Sequence, residues 1–260
     1  MSNLDNSALL KAKINPNDEW YTKYEYVNKE LNHWKDFLKN KTVYCPCDTA
    51  DSAFVKWCEN NNISVLHSCL PTDFRSPRAA DYFKKSDIVI TNPPFSLLRE
   101  LYNIIKFFDK DFILLAPNTC FGYKNIKEDI LQNKFFVGYE TPSEMFFDMP
   151  DGSQKRLGNV GWITNILIDK PELKLKQEFN PTKYPKYDNY DAIEVSRVNL
   201  IPKDYFGLMG VPITFMNKYN SKQFEIVELL SSPRLDGKEK FKRFIIRRKD
   251  CDKRTEESNL

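Results

Sequence analysis

Tyr24, Val27, Leu31, Trp34 and Leu38 return at steps of three and four residues, the spacing of one apolar face on an α-helix. A short apolar run at residues 43–47 follows and predicts a strand. Residues 51–60 then place Phe54, Trp57 and Cys58 on one side of a second helix. Two further runs predict strands at residues 63–67 and 87–91, the second with a continuous Ile-Val-Ile centre. Leu97, Leu98, Leu101, Ile104, Ile105 and Phe108 mark the next helix, with Ser96 in position to cap it. Later strands are predicted at residues 111–116, 135–139 and 160–168. Residues 170–205 are rich in Pro and Lys and read as an irregular connection; residues 251–260 read as a flexible polar tail. There is no internal repeat.

Apolar strands that alternate with helices predict an α/β fold with a mainly parallel sheet covered on both faces. Ligands in such folds bind beyond the carboxyl ends of the strands. The residues just after each strand are therefore the ones to read for chemistry.

Composition narrows what that chemistry is. The 260 residues contain 8 Gly, and the first is Gly122. A dinucleotide fingerprint or a P-loop needs Gly near its phosphates, and neither pattern occurs, which argues against a kinase, an NTPase or a standard NAD enzyme. No apolar stretch approaches the about 20 residues that span a bilayer, and the first 17 residues lack a signal-peptide core. Six Cys without a small-domain framework read as free thiols in a reducing cytoplasm. Residues 1–150 hold 18 basic and 20 acidic side chains; residues 151–260 hold 21 and 16. The basic second part points to a polyanionic partner.

The strand at 87–91 runs into Asn92-Pro93-Pro94-Phe95. Two prolines fix φ and remove two backbone donors, leaving a stiff turn that offers carbonyl acceptors, an Asn side-chain acceptor and an aromatic face. Such a set can hold a planar group bearing an exocyclic NH₂: two acceptors take its protons while the ring stacks on its face. An ordinary Pro-Pro turn with Phe95 in the core is the plainer alternative.

Asn92-Pro93-Pro94-Phe95 resembles the catalytic motif of S-adenosylmethionine-dependent amino-methyltransferases. Four more segments narrow the resemblance. They are Asp18-Glu19-Trp20-Tyr21-Thr22; Val43-Tyr44-Cys45-Pro46-Cys47-Asp48 followed by Ser52 and Phe54; residues 158–165; and residues 209–215. Together, over about residues 17–249, they resemble the EcoRI-type adenine-specific DNA methyltransferases. The resemblance implies a Rossmann-like class I methyltransferase sheet with a C-terminal target-recognition extension. It implies S-adenosylmethionine as cofactor and methylation of adenine N6 in duplex DNA, with the target base flipped out of the helix. By carry-over, Asn92 and the Pro93 carbonyl hold the N6 amine and Phe95 stacks on the base. The cofactor is expected against Trp20, Tyr21, Thr22, Cys47, Asp48, Ser52 and Asn92. Asp48 stands where an acid is usual; the Gly turn that usually follows it is absent, and Thr49, Ala50 and Ala53 supply small residues instead. The second strand end, residues 68–70, offers no acid for a ribose, and Asp73 is the nearest.

The expected layout is a catalytic domain at 1–169, target recognition at 170–250 and the tail beyond. Residues 238–249 carry seven basic side chains interleaved with Phe241, Phe244, Ile245 and Ile246 and read as a cationic edge strand. Lys240, Lys242, Arg243 and Arg247, with Lys155 and Arg156 in a loop at 151–158, are the expected phosphate contacts. No metal is expected: Cys45-x-Cys47 and His67-x-Cys69 overlap the cofactor pocket and read as buried thiols. The protein is expected to be a monomer; a companion restriction endonuclease is left open. Methylation of RNA or of a protein glutamine amide stays as an alternative, because those reactions also present a planar nitrogen. So does a non-catalytic nucleic-acid binder, motivated by the missing Gly turn.

Overall fold

The computed structural model describes residues 21–67, 74–149 and 151–249. The readings made above for Trp20, for residues 68–70 with Asp73, and for the tail at 251–260 lie outside the described residues. The chain divides into two compact units. One holds residues up to Cys120 together with Val137–Ile166; the other holds Phe121–Phe136 and residues from Leu167 onward.

The first unit is built on strands β1 (Tyr21–Thr22), β2 (Thr42–Cys45), β3 (Ser64–His67), β4 (Ile88–Thr91) and β5 (Asp111–Pro117). It continues with β6 (Phe136–Val137, of which Val137 belongs to this unit), β7 (Met145–Asp148), β8 (Gln154–Leu157) and β9 (Val160–Thr164). Six of these form one sheet in the order β3-β2-β4-β5-β9-β6. β3, β2, β4 and β5 pair in parallel, and β9 runs antiparallel to β5. The centre is buried on both faces: every residue of β4 and Val43, Tyr44 and Cys45 of β2 are out of solvent. That is why these strands read as unbroken apolar runs rather than alternating ones. β1, β7 and β8 form a separate antiparallel sheet in the order β1-β7-β8. No residue pattern announces it, because β8 is polar and β1 is two residues long.

Helices α1 (Tyr24–Asn32) and α2 (Lys35–Leu38) replace the single helix expected over 24–38. At the break the His33 and Trp34 amides bond the carbonyls of Glu30 and Leu31, three-residue steps that tighten the turn. Val27, Leu31, Trp34 and Leu38 are buried as the spacing predicts; Tyr24 is exposed. Buried Glu30 accepts from the Trp34 indole at 2.9 Å and from the Tyr139 and Glu140 amides at 3.1 and 2.7 Å. Burial raises its carboxyl pKa, and these donors oppose the rise. α3 (Ala53–Asn60) is N-capped by Ser52, whose Oγ accepts from the Val55 amide at 3.3 Å. α4 (Pro77–Lys85) has no counterpart in the apolar pattern; its Phe83 packs edge-on against Tyr44 of β2. α5 (Leu98–Phe107) begins without the expected Ser96 cap: Leu97 holds the N-cap position and makes no side-chain bond. The Leu97 amide bonds the Pro94 carbonyl instead, so the Pro-Pro turn itself leads into the helix.

The second unit contains α6 (Lys124–Leu131) and strands β10 (Ile193–Glu194), β11 (Met209–Pro212), β12 (Phe224–Leu230), β13 (Arg234–Leu235), β14 (Lys238–Glu239) and β15 (Arg243–Arg248). Four of them form a sheet in the order β10-β11-β15-β12, and β13 pairs with β14 in a hairpin. The expectation of a cationic edge strand over 238–249 is corrected here. β15 lies inside the sheet, hydrogen-bonded on both sides. Phe244, Ile245 and Ile246 are buried consecutively, which requires cover on both faces.

The scarcity of Gly has a structural counterpart. Asn62, Asp109 and Asn133 have φ of 56°, 51° and 57° and stand just past the ends of α3, α5 and α6. The following amides of Ile63, Lys110 and Lys134 bond back to the carbonyls of Cys58, Ile105 and Asp129. These are left-handed helix stops of the Schellman type, where Gly is usual and Asn or Asp is the tolerated substitute. Asn62→Ala and Asp109→Ala should each cost about 1 kcal/mol in urea unfolding, whereas the Gly variants should lose nothing.

Candidate active site

The parallel strands β2 and β4 end side by side, and their ends are linked. Asp48, three residues past β2, is buried and accepts a hydrogen bond from Thr91 Oγ1, the last residue of β4, at 2.5 Å. Ser52 also bonds the Asp48 carboxyl, so its hydroxyl serves both this acid and the start of α3. Burial pushes the Asp48 pKa up to about 7; the Thr91 and Ser52 bonds limit the rise. Asn92 follows Thr91 directly, so the same link places the Asn-Pro-Pro-Phe turn beside the acid.

A cleft of about 490 Å³ opens at these strand ends, within the about 300–1,000 Å³ typical of small-molecule sites. It brings together Tyr21, Thr22, Cys47, Asp48, Ser52, Asn92 and Pro94 of the residues singled out from the sequence. Pro93 is buried and Phe95 half-buried in the adjoining turn, and neither lines the cleft. Lys23, Tyr24 and Asp148 line it without having been expected. Asp148 arrives through β7, which pairs with β1 in the register Tyr21↔Asp148, a long-range contact with no local signal. Thr91 was also missed; a polar residue closing an apolar strand beside the motif was the available clue.

The electrostatics of the cleft are specific. Lys23 stands 3.8 Å from Asp148 and Lys56 stands 3.4 Å from Asp51. Asp48 has hydroxyl partners instead, so its carboxylate is the charge in the lining that a cationic ligand would balance. Thr22 Oγ1 is buried and makes no hydrogen bond among the described residues, a polar atom set for a bound group. Cys47 is half-buried and Tyr21 exposed.

The expected phosphate contacts fare differently. Arg243 is 12 % exposed and pairs with Glu194 at 2.9 Å, and Tyr187 donates to the same carboxylate. It is a structural ion pair between two strands of the sheet, because Glu194 is itself buried. Arg247 pairs with Glu225 and Arg156 with Glu144, each at 2.6 Å. Lys155 and Arg156 sit on β8 rather than in a loop. Lys240 is half-buried and Lys242 exposed.

The family model for the adenine-specific methyltransferase EcoRI matches residues 8–68 and 59–259. The chain belongs to the EcoRI adenine-specific methyltransferase family. The relative named Type II methyltransferase M.EcoRI, from Escherichia coli, is 32% identical, with 96% of this chain and 99% of that protein covered. Two mycoplasma relatives show the same degree of likeness. M.MgeORF184P of Mycoplasma genitalium is 30% identical and M.MpnI of Mycoplasma pneumoniae 31% identical, each over 86% of both chains. The chain is thus a methyltransferase of the EcoRI family, an enzyme that takes its methyl group from a donor cofactor.

The raised Asp48 pKa has a stability consequence. The fold favours the neutral carboxyl, so wild type is penalised by burying the charge above pH 7, and the penalty fades as pH falls from 7 toward the unfolded value near 4. Asp48→Asn should therefore be more stable than wild type at pH 8, by about 1–3 kcal/mol. The difference should shrink on acidification through pH 7, as read by urea unfolding at a series of pH values.

Proposed function

We propose that this protein transfers a methyl group from S-adenosylmethionine to the N6 amine of an adenine in duplex DNA. The observation that carries the reading is the shared cleft, in which the linked strand ends set a buried acid, Asp48, beside Asn92. Membership of an adenine-specific family supports the target base, and relatives named as Type II methyltransferases support a DNA substrate within a modification system. Residues 151–260, with 21 basic against 16 acidic side chains, support a polyanionic partner, and target recognition is assigned to residues 170–250.

The lining fits the cofactor. Asp48 is an acid without a lysine or arginine partner, suited to the amino-acid ammonium or a hydroxyl. Thr22 Oγ1 offers a buried hydrogen-bonding atom, and Tyr21 and Cys47 border the same space. S-adenosylmethionine, when bound, supplies a methyl group on a positively charged sulfur, already a good electrophile. The work left to the chain is positioning. Asn92 Oδ1 and the Pro93 carbonyl accept the two N6 protons, which turns the nitrogen lone pair outward for in-line attack. Phe95 stacks on the extruded base. Held against Asp48 and Thr22, the cofactor would supply its methyl to N6 and leave as a neutral thioether, the displaced N6 proton going to water. Fixing two reactants in this way contributes up to several kcal/mol. The two prolines hold the acceptors rigid, so little ordering remains when the base arrives.

Incubation with labelled S-adenosylmethionine and mixed-sequence duplex DNA should yield N6-methyladenine; RNA and protein acceptors tested alongside should stay unlabelled. Cofactor binding with no methylated adenine in DNA would sink the reading. Asn92→Ala should lose at least about 2 kcal/mol of transition-state stabilisation, roughly thirtyfold in kcat/KM. Cofactor affinity read by calorimetry should weaken below pH 7, approaching about tenfold per pH unit, because Asp48 must give up its proton to bind a cation. Asp48→Asn should bind weakly with a flat profile.

A further inference from the structure

We propose that Phe241 is the wedge that enters the DNA stack when the target base leaves it. The inference rests on the reading of the protein as a duplex-DNA methyltransferase and names a partner surface within its second unit.

Phe241 is 88 % exposed, yet its backbone is held from both sides. Upstream, β13 and β14 are joined by Asp236-Gly237, with φ of 52° and 72°, a tight two-residue turn that keeps the hairpin twist. The Gly237 amide donates to Asp188 at 2.8 Å and the Arg234 amide to Asn189 at 2.9 Å. The Lys240 amide closes on the Pro233 carbonyl at 2.7 Å. Downstream, the Arg243 guanidinium donates to the Phe241 carbonyl at 3.1 Å, and Arg243 is itself fixed by Glu194. A large aromatic is thus presented to solvent from a pinned backbone.

The neighbours give the partner its chemistry. Lys238, Lys240 and Lys242 flank Phe241 along the chain, against one acid, Glu239. Cations that meet phosphates on either side of an apolar wedge are the arrangement by which proteins part stacked base pairs. Base flipping leaves a gap in the duplex and requires unstacking; a Phe ring fills such a gap without reading sequence.

The test uses the full-length protein and a duplex carrying its site, found by methylation-aware sequencing of DNA treated with the wild type. Phe241→Ala should slow single-turnover methylation at least about tenfold with unchanged S-adenosylmethionine affinity. Phe241→Trp should keep most of the rate. Removing the base opposite the target adenine should restore the Ala variant, since extrusion is then easier. With 2-aminopurine at the target position, fluorescence should rise on binding wild type and not the Ala variant. A Phe241→Ala enzyme of normal rate, or one equally slow on both duplexes, would overturn the proposal. So would a wild-type dimer that becomes monomeric in the variant, which would make Phe241 a self-contact. If wild type binds cofactor and leaves all DNA unmethylated, the reading of function fails first.

Discussion

The hydrogen bond between Thr91 and Asp48 joins two strand ends that are adjacent in the sheet but separated in sequence by a helix, a strand and another helix. A buried carboxyl is costly unless its lone pairs are occupied, and here two hydroxyls occupy them. That requirement fixes where the turn after β2 sits relative to the turn after β4. The layout of the cleft follows from it: the acid is held next to Asn92, and the two prolines after Asn92 carry the chain away toward α5. The absence of Gly in this region is consistent with the same logic. A site for phosphates needs close backbone approach, whereas a site built from side-chain hydroxyls, a carboxyl and an amide does not.

The second unit depends on a different buried charge. Glu194 on β10 receives Arg243 of β15 and the Tyr187 hydroxyl, and Gly210 of β11 leaves room for the Tyr187 ring, where a Cβ would collide with it. Arg248 likewise turns inward, over the Phe206 ring and onto the Lys203 carbonyl. Two of the cations on β15 thereby act as packing elements, and the strand can lie inside the sheet despite its composition.

What was legible in the sequence follows burial. β2, β4 and β5 are covered on both faces, so their apolar runs were readable to within a residue or two. Asn92 and Asp48 were readable because they directly follow such runs. The β1-β7-β8 sheet was not, since its strands exist by virtue of pairing between Tyr21 and Asp148, far apart in the chain, and its polar residues carry no period. β15 was misplaced because interleaved Lys and Arg imitate an exposed edge; only the Glu194 carboxylate, invisible in the local sequence, turns Arg243 inward. The helix break at His33 is made by three-residue backbone steps, which leave the apolar spacing of Leu31, Trp34 and Leu38 unchanged and so invisible to it.

The ion pairs of the arginines also change what the basic surplus means. Arg156, Arg243 and Arg247 each have a carboxylate as their counter-ion within the chain. An arginine that left its carboxylate for a phosphate would exchange one fixed anion for another, and it would set the abandoned carboxylate near the duplex. At these three positions the counter-ions released by a phosphate contact are offset by the carboxylate left unpaired beside the duplex. The surplus of positive charge that remains to meet a polyanion is correspondingly smaller than the count of cationic side chains.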